Sequence, residues 1–238
     1  MIESLGVATA VISLIRLHTE KIRPPRALWV PFQLGRPLGT PGEPEFQSRV
    51  LRQALALLER RDGPVLLEDF AEEETGIVDD PDWLPPLTIA PTATGRADGA
   101  ALRAEFDRIL PAYRRAVETR ARTTVGLSGV ALPAAVDFIV AYLLGGRPAS
   151  PNPALTPGQA LRFVSDDVKA AWAEAASLSG RPSSRQLADW LWEGTALGAA
   201  LIALRNLALL SDEASFKAVG GNLLVPGARV ALLEAATP

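Results

Sequence analysis

The sequence predicts an α/β unit with a partial parallel sheet at the N-terminus, followed by an all-α region. Two short, continuously apolar segments, residues 9–14 and 27–32, lie on either side of a segment that favours helix. Such runs are typical of strands that are buried on both faces of a parallel sheet. From about Gly99 onward, apolar residues instead recur at helical spacing. These observations place the sheet before the helices in the chain.

The elements around the two predicted strands follow from proline, glycine and apolar spacing. Residues 15–22 predict a short helix because Pro24 and Pro25 cannot continue one. Residues 34–44 form a loop rich in glycine and proline, and residues 45–60 have the spacing of an amphipathic helix. A strand–helix–strand connection within one sheet is strongly preferred as a right-handed parallel crossover. We therefore expect the two strands to be adjacent and parallel, in a partial, flavodoxin-like sheet.

Two strands are too few to close a core by themselves. One interpretation is a small two-stranded unit that packs on the later helices. The chain also begins in mid-element, without an N-cap. This favours the other interpretation, in which an upstream half, either lost or carried by another chain, completes the sheet.

Composition divides the chain into a partial α/β unit (1–70), an acidic, proline-rich linker (71–98) and a helical domain (99–238). Residues 66–82 hold eight acidic side chains and no basic ones, whereas residues 14–61 hold nine Arg or Lys against four Glu. The acidic segment is either a solvated connector or a segment that folds back on the basic unit.

Two capping boxes mark helix starts in the helical domain. One is Thr156-Pro157-Gly158-Gln159, and the other spans residues 183–186. The second is predicted to open the longest helix of the chain, which continues past Leu204. The helical stripes predict that three large side chains are buried: Trp172, Trp190 and Leu201.

Composition also excludes several classes of function. A net charge of −3 gives no basic surface for nucleic acid, and the chain has no cysteine for a disulfide or a thiolate. His18 is the only histidine, so no cluster of histidines can bind a metal. No glycine pattern for a phosphate-cradling loop is present, so we expect no nucleotide or other cofactor. With no signal peptide or membrane span recognisable, we expect a cytoplasmic protein that does not contact a membrane.

The best candidate site lies where the predicted strands end. Gly35, Arg36 and Gly39 follow the second strand, and Arg16 and His18 follow the first. Ligands of open α/β sheets bind beyond the carboxyl ends of the strands, where an Arg and glycine-freed backbone N–H groups can hold a carboxylate. The alternatives are a rigid turn that only positions the next helix, and a histidine that is simply exposed.

Acidic residues on the later helices could suggest a second site. Asp166 and Asp167 are adjacent, and Asp189 and Glu193 are one helical turn apart. A dinuclear metal site would need a Glu-x-x-His pattern, which is absent from this half of the chain. We therefore expect these carboxylates to lie on solvated faces.

The N-terminal segments also resemble a known family. PPRALWVPFQLGRPLGTPGEPEFQSRVLRQALALLER, the preceding TAVISLIRLHTEKIR and the following GPVLLEDF are similar to the selenoprotein B family of glycine, betaine, sarcosine and D-proline reductases. The resemblance covers roughly residues 1–70. It implies reductive cleavage of a C–N bond by a selenocysteine or cysteine in a Cys-x-x-Cys-like motif that lies upstream of the matched segment.

This chain has no cysteine to inherit the nucleophile's role. The resemblance therefore implies a fragment or subunit of a reductase that acts on a small carboxylate substrate. Such a chain would be inactive until a partner chain supplies the missing redox half. The alternative is a non-catalytic α/β-helical protein that binds a small anion or another protein.

Overall fold

The computed structural model describes residues 2–63, 65–73, 79–87 and 98–235. The chain divides into two units, Met1–Ile77 and Val78–Pro238, and each unit has its own hydrophobic core. The first is α/β with a parallel sheet and the second is helical, which confirms the predicted fold class.

The first unit alternates strands and helices along the chain. Its strands are β1 (Val11–Ser13), β2 (Arg26–Trp29) and β3 (Leu66–Asp69). Its helices are α1 (Arg16–Ile22) and α2 (Pro44–Ala56), and 3-10 turns cover Ile2–Leu5 and Leu57–Glu59. The first two strands are shorter than the apolar runs that predict them: β1 pairs through residues 11–13 of the run 9–14, and β2 pairs through residues 26–29, which begin one residue before the run 27–32.

The three strands form one parallel sheet in the order β1-β2-β3. The adjacent, parallel pairing of β1 with β2 is confirmed. The register aligns Ser13, Trp29 and Asp69 in one row across the sheet. The third strand was not predicted, since its four residues lie in the segment that we interpreted from its acidic residues as a connector.

The core of the first unit forms where α2 packs against the sheet. Phe46, Val50 and Ala54 recur every fourth residue of α2, so one face of the helix is apolar and buried. The ring of Phe46 lies 5.4 Å from that of Phe32 and 5.8 Å from that of Phe70, centre to centre. This core gathers residues that follow β2 and β3, so it holds the loops at that end of the sheet.

The second unit is built from helices. They are α3 (Gly99–Arg120), α4 (Leu132–Leu143), α5 (Pro157–Ala176), α6 (Ser184–Gly194), α7 (Ala196–Leu209), α8 (Ala214–Asn222) and α9 (Gly227–Ala235). Both predicted capping boxes are formed: Thr156 with Gln159 opens α5, and Ser183 with Gln186 opens α6. The predicted burial of Trp172, Trp190 and Leu201 is also confirmed.

The helix predicted to be the longest is in fact two helices, α6 and α7, bent by 73° at Thr195. Thr195 has an extended backbone, and its hydroxyl accepts the N–H of Gly198 at 2.9 Å, which caps a new helix. The bend brings Gly198 so close to α6 that a Cβ there would lie 2.2 Å from the carbonyl oxygen of Leu191. Taken singly, no described helix is long and apolar enough to span a membrane, and α6 with α7 passes that test only as a bent pair.

Residues 79–87, within the predicted linker, belong to the core of the helical unit. The indole N–H of Trp83 donates to the carbonyl of Ala176 at 2.9 Å. The indole of Trp190 donates to the carbonyl of Leu87 at 3.0 Å, and the Trp83 and Trp190 rings meet edge to face. These hydrogen bonds satisfy both buried indole N–H groups and attach the proline-rich segment to α5 and α6.

Leu201 lies on the buried face of α7 with none of its surface exposed. We expect Leu201→Ala to lower the free energy of unfolding by about 2–5 kcal/mol, because it leaves a cavity in a packed core. Urea denaturation followed by circular dichroism measures this. Leu210→Ala is the control, since Leu210 is 82% exposed and should change stability by no more than about 0.5 kcal/mol. Equal effects of the two substitutions would contradict the packing described for α7.

Candidate functional site

The candidate site lies at the edge of the sheet where all three parallel strands have their carboxyl ends. Arg16 begins α1 three residues after β1, and His18 lies in its first turn. The loop with Gly35, Arg36 and Gly39 follows β2, and Asp69 ends β3. The topology thus places the predicted residues in the connections that leave this edge.

Arg16 is already held by two carboxylates. Its Nε lies 3.1 and 3.2 Å from the two carboxylate oxygens of Asp69, and its Nη1 pairs with Glu20 on the next turn of α1. The hydrogen bond and the charge of Asp69 raise the pKa of Arg16 above its ordinary value, and Glu20 adds to this effect. An incoming carboxylate would compete with both partners. Asp69, which the sequence analysis did not connect with Arg16, therefore decides how available this guanidinium is.

His18 is exposed on α1, and its imidazole makes no hydrogen bond to a residue that the structure describes. This arrangement agrees with the alternative of an exposed surface histidine. Its role as a proton donor stays a prediction.

The glycines of the loop after β2 shape two consecutive turns. The Arg36 N–H donates to the Gln33 carbonyl at 2.9 Å, and the Gly39 N–H donates to the Arg36 carbonyl at 3.0 Å. Gly35 and Gly39 have φ angles of 91° and 82°, which L side chains rarely adopt. A Cβ at Gly39 would also lie 2.5 Å from the ring of Phe46. Two of the backbone donors expected to bind an anion are therefore used within the loop.

Arg36 keeps its side chain available. It is half-buried, and among the described residues it forms no ion pair. Of the two arginines predicted for the site, it is the one whose guanidinium is not neutralised by a described carboxylate. A partly desolvated guanidinium in this position can bind a carboxylate through two parallel hydrogen bonds.

The acidic residues around β3 pair with the basic residues of the first unit. Besides the pair of Asp69 with Arg16, Arg60 contacts Glu68, and Arg49 binds Glu72 through two hydrogen bonds of 3.0 and 2.7 Å. For residues 68–72 this matches the fold-back alternative. Each pair is exposed to solvent, so it contributes little to stability and mainly fixes the position of β3.

Two buried carboxylates stabilise the helical unit. Glu105 of α3 is 1% exposed and accepts the indole N–H of Trp172 at 2.7 Å. It also accepts the N–H groups of Ala196 and Leu197, at 2.6 and 3.1 Å, at the start of α7. Burial raises the pKa of Glu105, and these hydrogen bonds and the charge of Arg108 oppose that rise.

The expectation that Asp167 lies on a solvated face is wrong. It is 1% exposed and accepts hydrogen bonds from the backbone N–H groups of Gly126, Leu127 and Ser128, each at 2.9 Å. These bonds attach the loop between α3 and α4 to α5. Asp166 behaves as expected, since it is partly exposed and pairs with Lys169. The described residues contain no group of three or more His, Cys, Asp or Glu that could hold a metal ion.

Comparison with known proteins gives no family for this fold and site: no protein-family model, no curated protein and no solved structure matches the chain. The functional argument therefore depends on the residues themselves.

Proposed function

We propose that this chain is one component of a reductase that cleaves C–N bonds of small, amino-acid-like substrates. In this proposal the N-terminal unit binds the substrate carboxylate, and another polypeptide segment supplies a thiol or selenol. The observation that carries the proposal is the half-buried Arg36, which has no described ion-pair partner and lies in a loop after a parallel strand. The resemblance of residues 1–70 to the selenoprotein B family supplies the reaction class.

The first step of the argument concerns the substrate's carboxylate. Open α/β sheets bind ligands beyond the carboxyl ends of their strands. In the proposal, Arg36 in the loop after β2 forms a bidentate, charge-assisted pair with the carboxylate. Arg16 is the less available partner because Asp69 and Glu20 already neutralise it.

The second step concerns the electrons. Cleavage of a C–N bond by two thiols oxidises them to a disulfide, while the carbon gains a hydrogen and the amine leaves. The reactive species is a thiolate or selenolate, and this chain has no cysteine. Its only sulfur is the thioether of Met1, which cannot take part in thiol exchange. The redox centre therefore has to come from a partner segment.

The third step concerns where such a partner would bind. β1 is an edge strand, and the large apolar side chains at Leu5, Val7, Val11 and Ile15 around it are exposed. Among the described residues, 12 of the 19 exposed large apolar side chains belong to the first unit, although it is the smaller one. An exposed strand edge with apolar neighbours favours addition of a further strand. We assign the thiol- or selenol-bearing segment to this edge.

The carboxylate site is tested by titrating the chain with acetate and with sulfate. We expect saturable shifts of the backbone amide signals of residues 34–39 in nuclear magnetic resonance spectra. Arg36→Ala should weaken acetate binding about tenfold or more, since a hydrogen bond to a charged group contributes about 1.5–3 kcal/mol. Arg61→Ala, which removes an exposed arginine from the same unit, should leave the affinity unchanged. Equal binding by Arg36→Ala and the unaltered chain, or no binding by either, would remove the site.

A second candidate is a non-catalytic protein that binds a small anion or another protein. The observation that favours it is the absence of cysteine, because the chain then has no nucleophile of its own for the reaction. Anion binding at Arg36 is compatible with both candidates. They differ in whether a thiol-bearing partner produces turnover.

A further inference from the structure

A cleft of about 360 Å³ lies in the helical unit, between the last turns of α4 and α7 and the first turns of α5 and α8. Its walls are largely apolar, with Leu161, Leu204, Leu207 and Phe216 among them. Pockets for small molecules have volumes of roughly 300–1,000 Å³. The volume of the cleft is therefore suited to a ligand about the size of one amino acid.

Two opposite charges line this apolar cleft without neutralising each other. Arg147 and Glu213 both contribute to the lining, and both are exposed. Neither takes part in an ion pair among the described residues, and the carboxylate of Glu213 accepts one described hydrogen bond, from the Ser215 hydroxyl at 2.6 Å. A separated cation and anion on one small cleft are complementary to a ligand that carries both charges.

Tyr142 lies in the same cleft as these two charges. Its ring packs between Phe138 and Phe216, with centre-to-centre distances of 5.1 and 5.2 Å. Burial raises the pKa of the Tyr142 hydroxyl, the charge of Glu213 raises it further, and the charge of Arg147 lowers it. Tyr142 lines the same cleft as both charged groups, and its hydroxyl makes no hydrogen bond to a described residue. It can bind either end of a ligand.

We propose that this cleft binds a small zwitterion with an apolar body, whose carboxylate pairs with Arg147 and whose ammonium group faces Glu213. The aromatic rings of Tyr142 and Phe216 offer the ammonium group a further favourable surface. Leu161 and Leu204 pack against the apolar body. The assignment uses only the helical unit, so it does not depend on the reductase proposal.

The test uses three probes that share the same phenylalkyl body and differ in charge. L-phenylalanine carries both charges, 3-phenylpropionate carries only the carboxylate, and 2-phenylethylamine carries only the ammonium group. We expect L-phenylalanine to bind most tightly, as measured by amide shifts of residues 142–149 and 211–216. Arg147→Ala should weaken L-phenylalanine and 3-phenylpropionate about tenfold or more and leave 2-phenylethylamine unchanged. Glu213→Gln should do the converse, weakening the two probes that carry an ammonium group.

Three further variants make the outcome decisive. Arg122→Ala and Glu118→Gln change exposed charges of the same unit outside the cleft and should leave all three affinities unchanged. Ala149→Trp places a large side chain in the cleft from an exposed position and should abolish binding while thermal unfolding stays cooperative. The proposal is overturned if L-phenylalanine shows no saturable binding, if it binds no more tightly than the singly charged probes, or if Ala149→Trp still binds it.

Discussion

Glu105→Ala is expected to lower the free energy of unfolding of the helical unit by about 2–5 kcal/mol. The substitution leaves three N–H donors without an acceptor: the indole of Trp172 and the first backbone groups of α7. Each buried donor that loses its partner costs about 1–3 kcal/mol. The substitution also removes a buried carboxylate, whose burial is itself unfavourable. This gain offsets only part of the loss.

Urea denaturation followed by far-ultraviolet circular dichroism measures the effect. Glu118→Ala is the matched control, because it removes an exposed glutamate from the same helix and should change stability by no more than about 0.5 kcal/mol. Glu105→Gln should be intermediate, since the amide keeps one acceptor oxygen but turns an N–H group toward other donors. A loss no larger than that of Glu118→Ala would mean that Glu105 does not hold the start of α7.

The pH dependence provides a second readout for Glu105. Burial raises its pKa in the folded state above the ordinary 4.5, so the folded chain binds the proton more tightly than the unfolded chain. Stability from this group is therefore full at pH values below 4.5 and is lost as pH rises through the folded-state pKa. The Glu105→Gln variant has no group that titrates at this position, so it serves as the reference. The stability of the unaltered chain minus that of Glu105→Gln should fall as pH rises, and a difference that increases would contradict the direction of the shift.

The sheet could be predicted only where its strands are apolar. β1 and β2 overlap the apolar runs 9–14 and 27–32, and such runs favour parallel strands. The expected burial on both faces is wrong for β1, whose Val11 is exposed because no described strand pairs with its outer edge. β3 ends in Glu68 and Asp69, so its composition indicates an acidic connector. It is a strand because it pairs with β2 and its carboxylates meet Arg60 and Arg16. This pairing depends on the order of the strands in the sheet, which cannot be predicted from a local sequence pattern.

The break between α6 and α7 shows a second limit. Apolar residues continue at helical spacing through Thr195, so the pattern predicts one helix. The break depends on two acceptors for the free N–H groups of α7: the hydroxyl of Thr195 and the carboxylate of Glu105, which lies 91 residues before Ala196 in the chain. A Thr that follows Gly194 is a local signal for a helix boundary, and it could have been recognised. The role of Glu105 could not be predicted, because an acidic residue on a helix is usually exposed.

The location of the candidate residues in the fold could be predicted from the sequence, but their hydrogen-bond and ion-pair partners could not. Its residues follow apolar strands, so their placement at one edge follows from parallel pairing. The partner of Arg16 is Asp69, 53 residues away, and only the register of β3 brings them together. The hydrogen bonds that occupy the Arg36 and Gly39 N–H groups depend on turn geometry. The side chain of Arg36 remains the strongest candidate for binding an anion, because it has no described ion-pair partner.

The isolated chain is expected to show no dithiol-dependent reductase activity. When incubated with the purified chain and dithiothreitol, glycine and betaine should release no amine, and proline should form no ring-opened primary amine, above the rate without protein. Transfer of electrons to a C–N bond by this chemistry requires a thiolate or selenolate held against the substrate. Dithiothreitol in solution supplies electrons but no positioned nucleophile, and the chain has no cysteine to position one.

Addition of a polypeptide that carries the Cys-x-x-Cys-like or selenocysteine motif of the resembled family should produce turnover. Because Arg36 is proposed to bind the substrate, Arg36→Ala should raise KM in the reconstituted system about tenfold or more. Replacing the exposed Val11 of the edge strand by Asp should instead weaken association of the two polypeptides and leave KM of the assembled enzyme unchanged. Turnover by the isolated chain would refute the need for a partner. Anion binding at Arg36 without turnover in the presence of any such partner would leave the non-catalytic binding protein as the function.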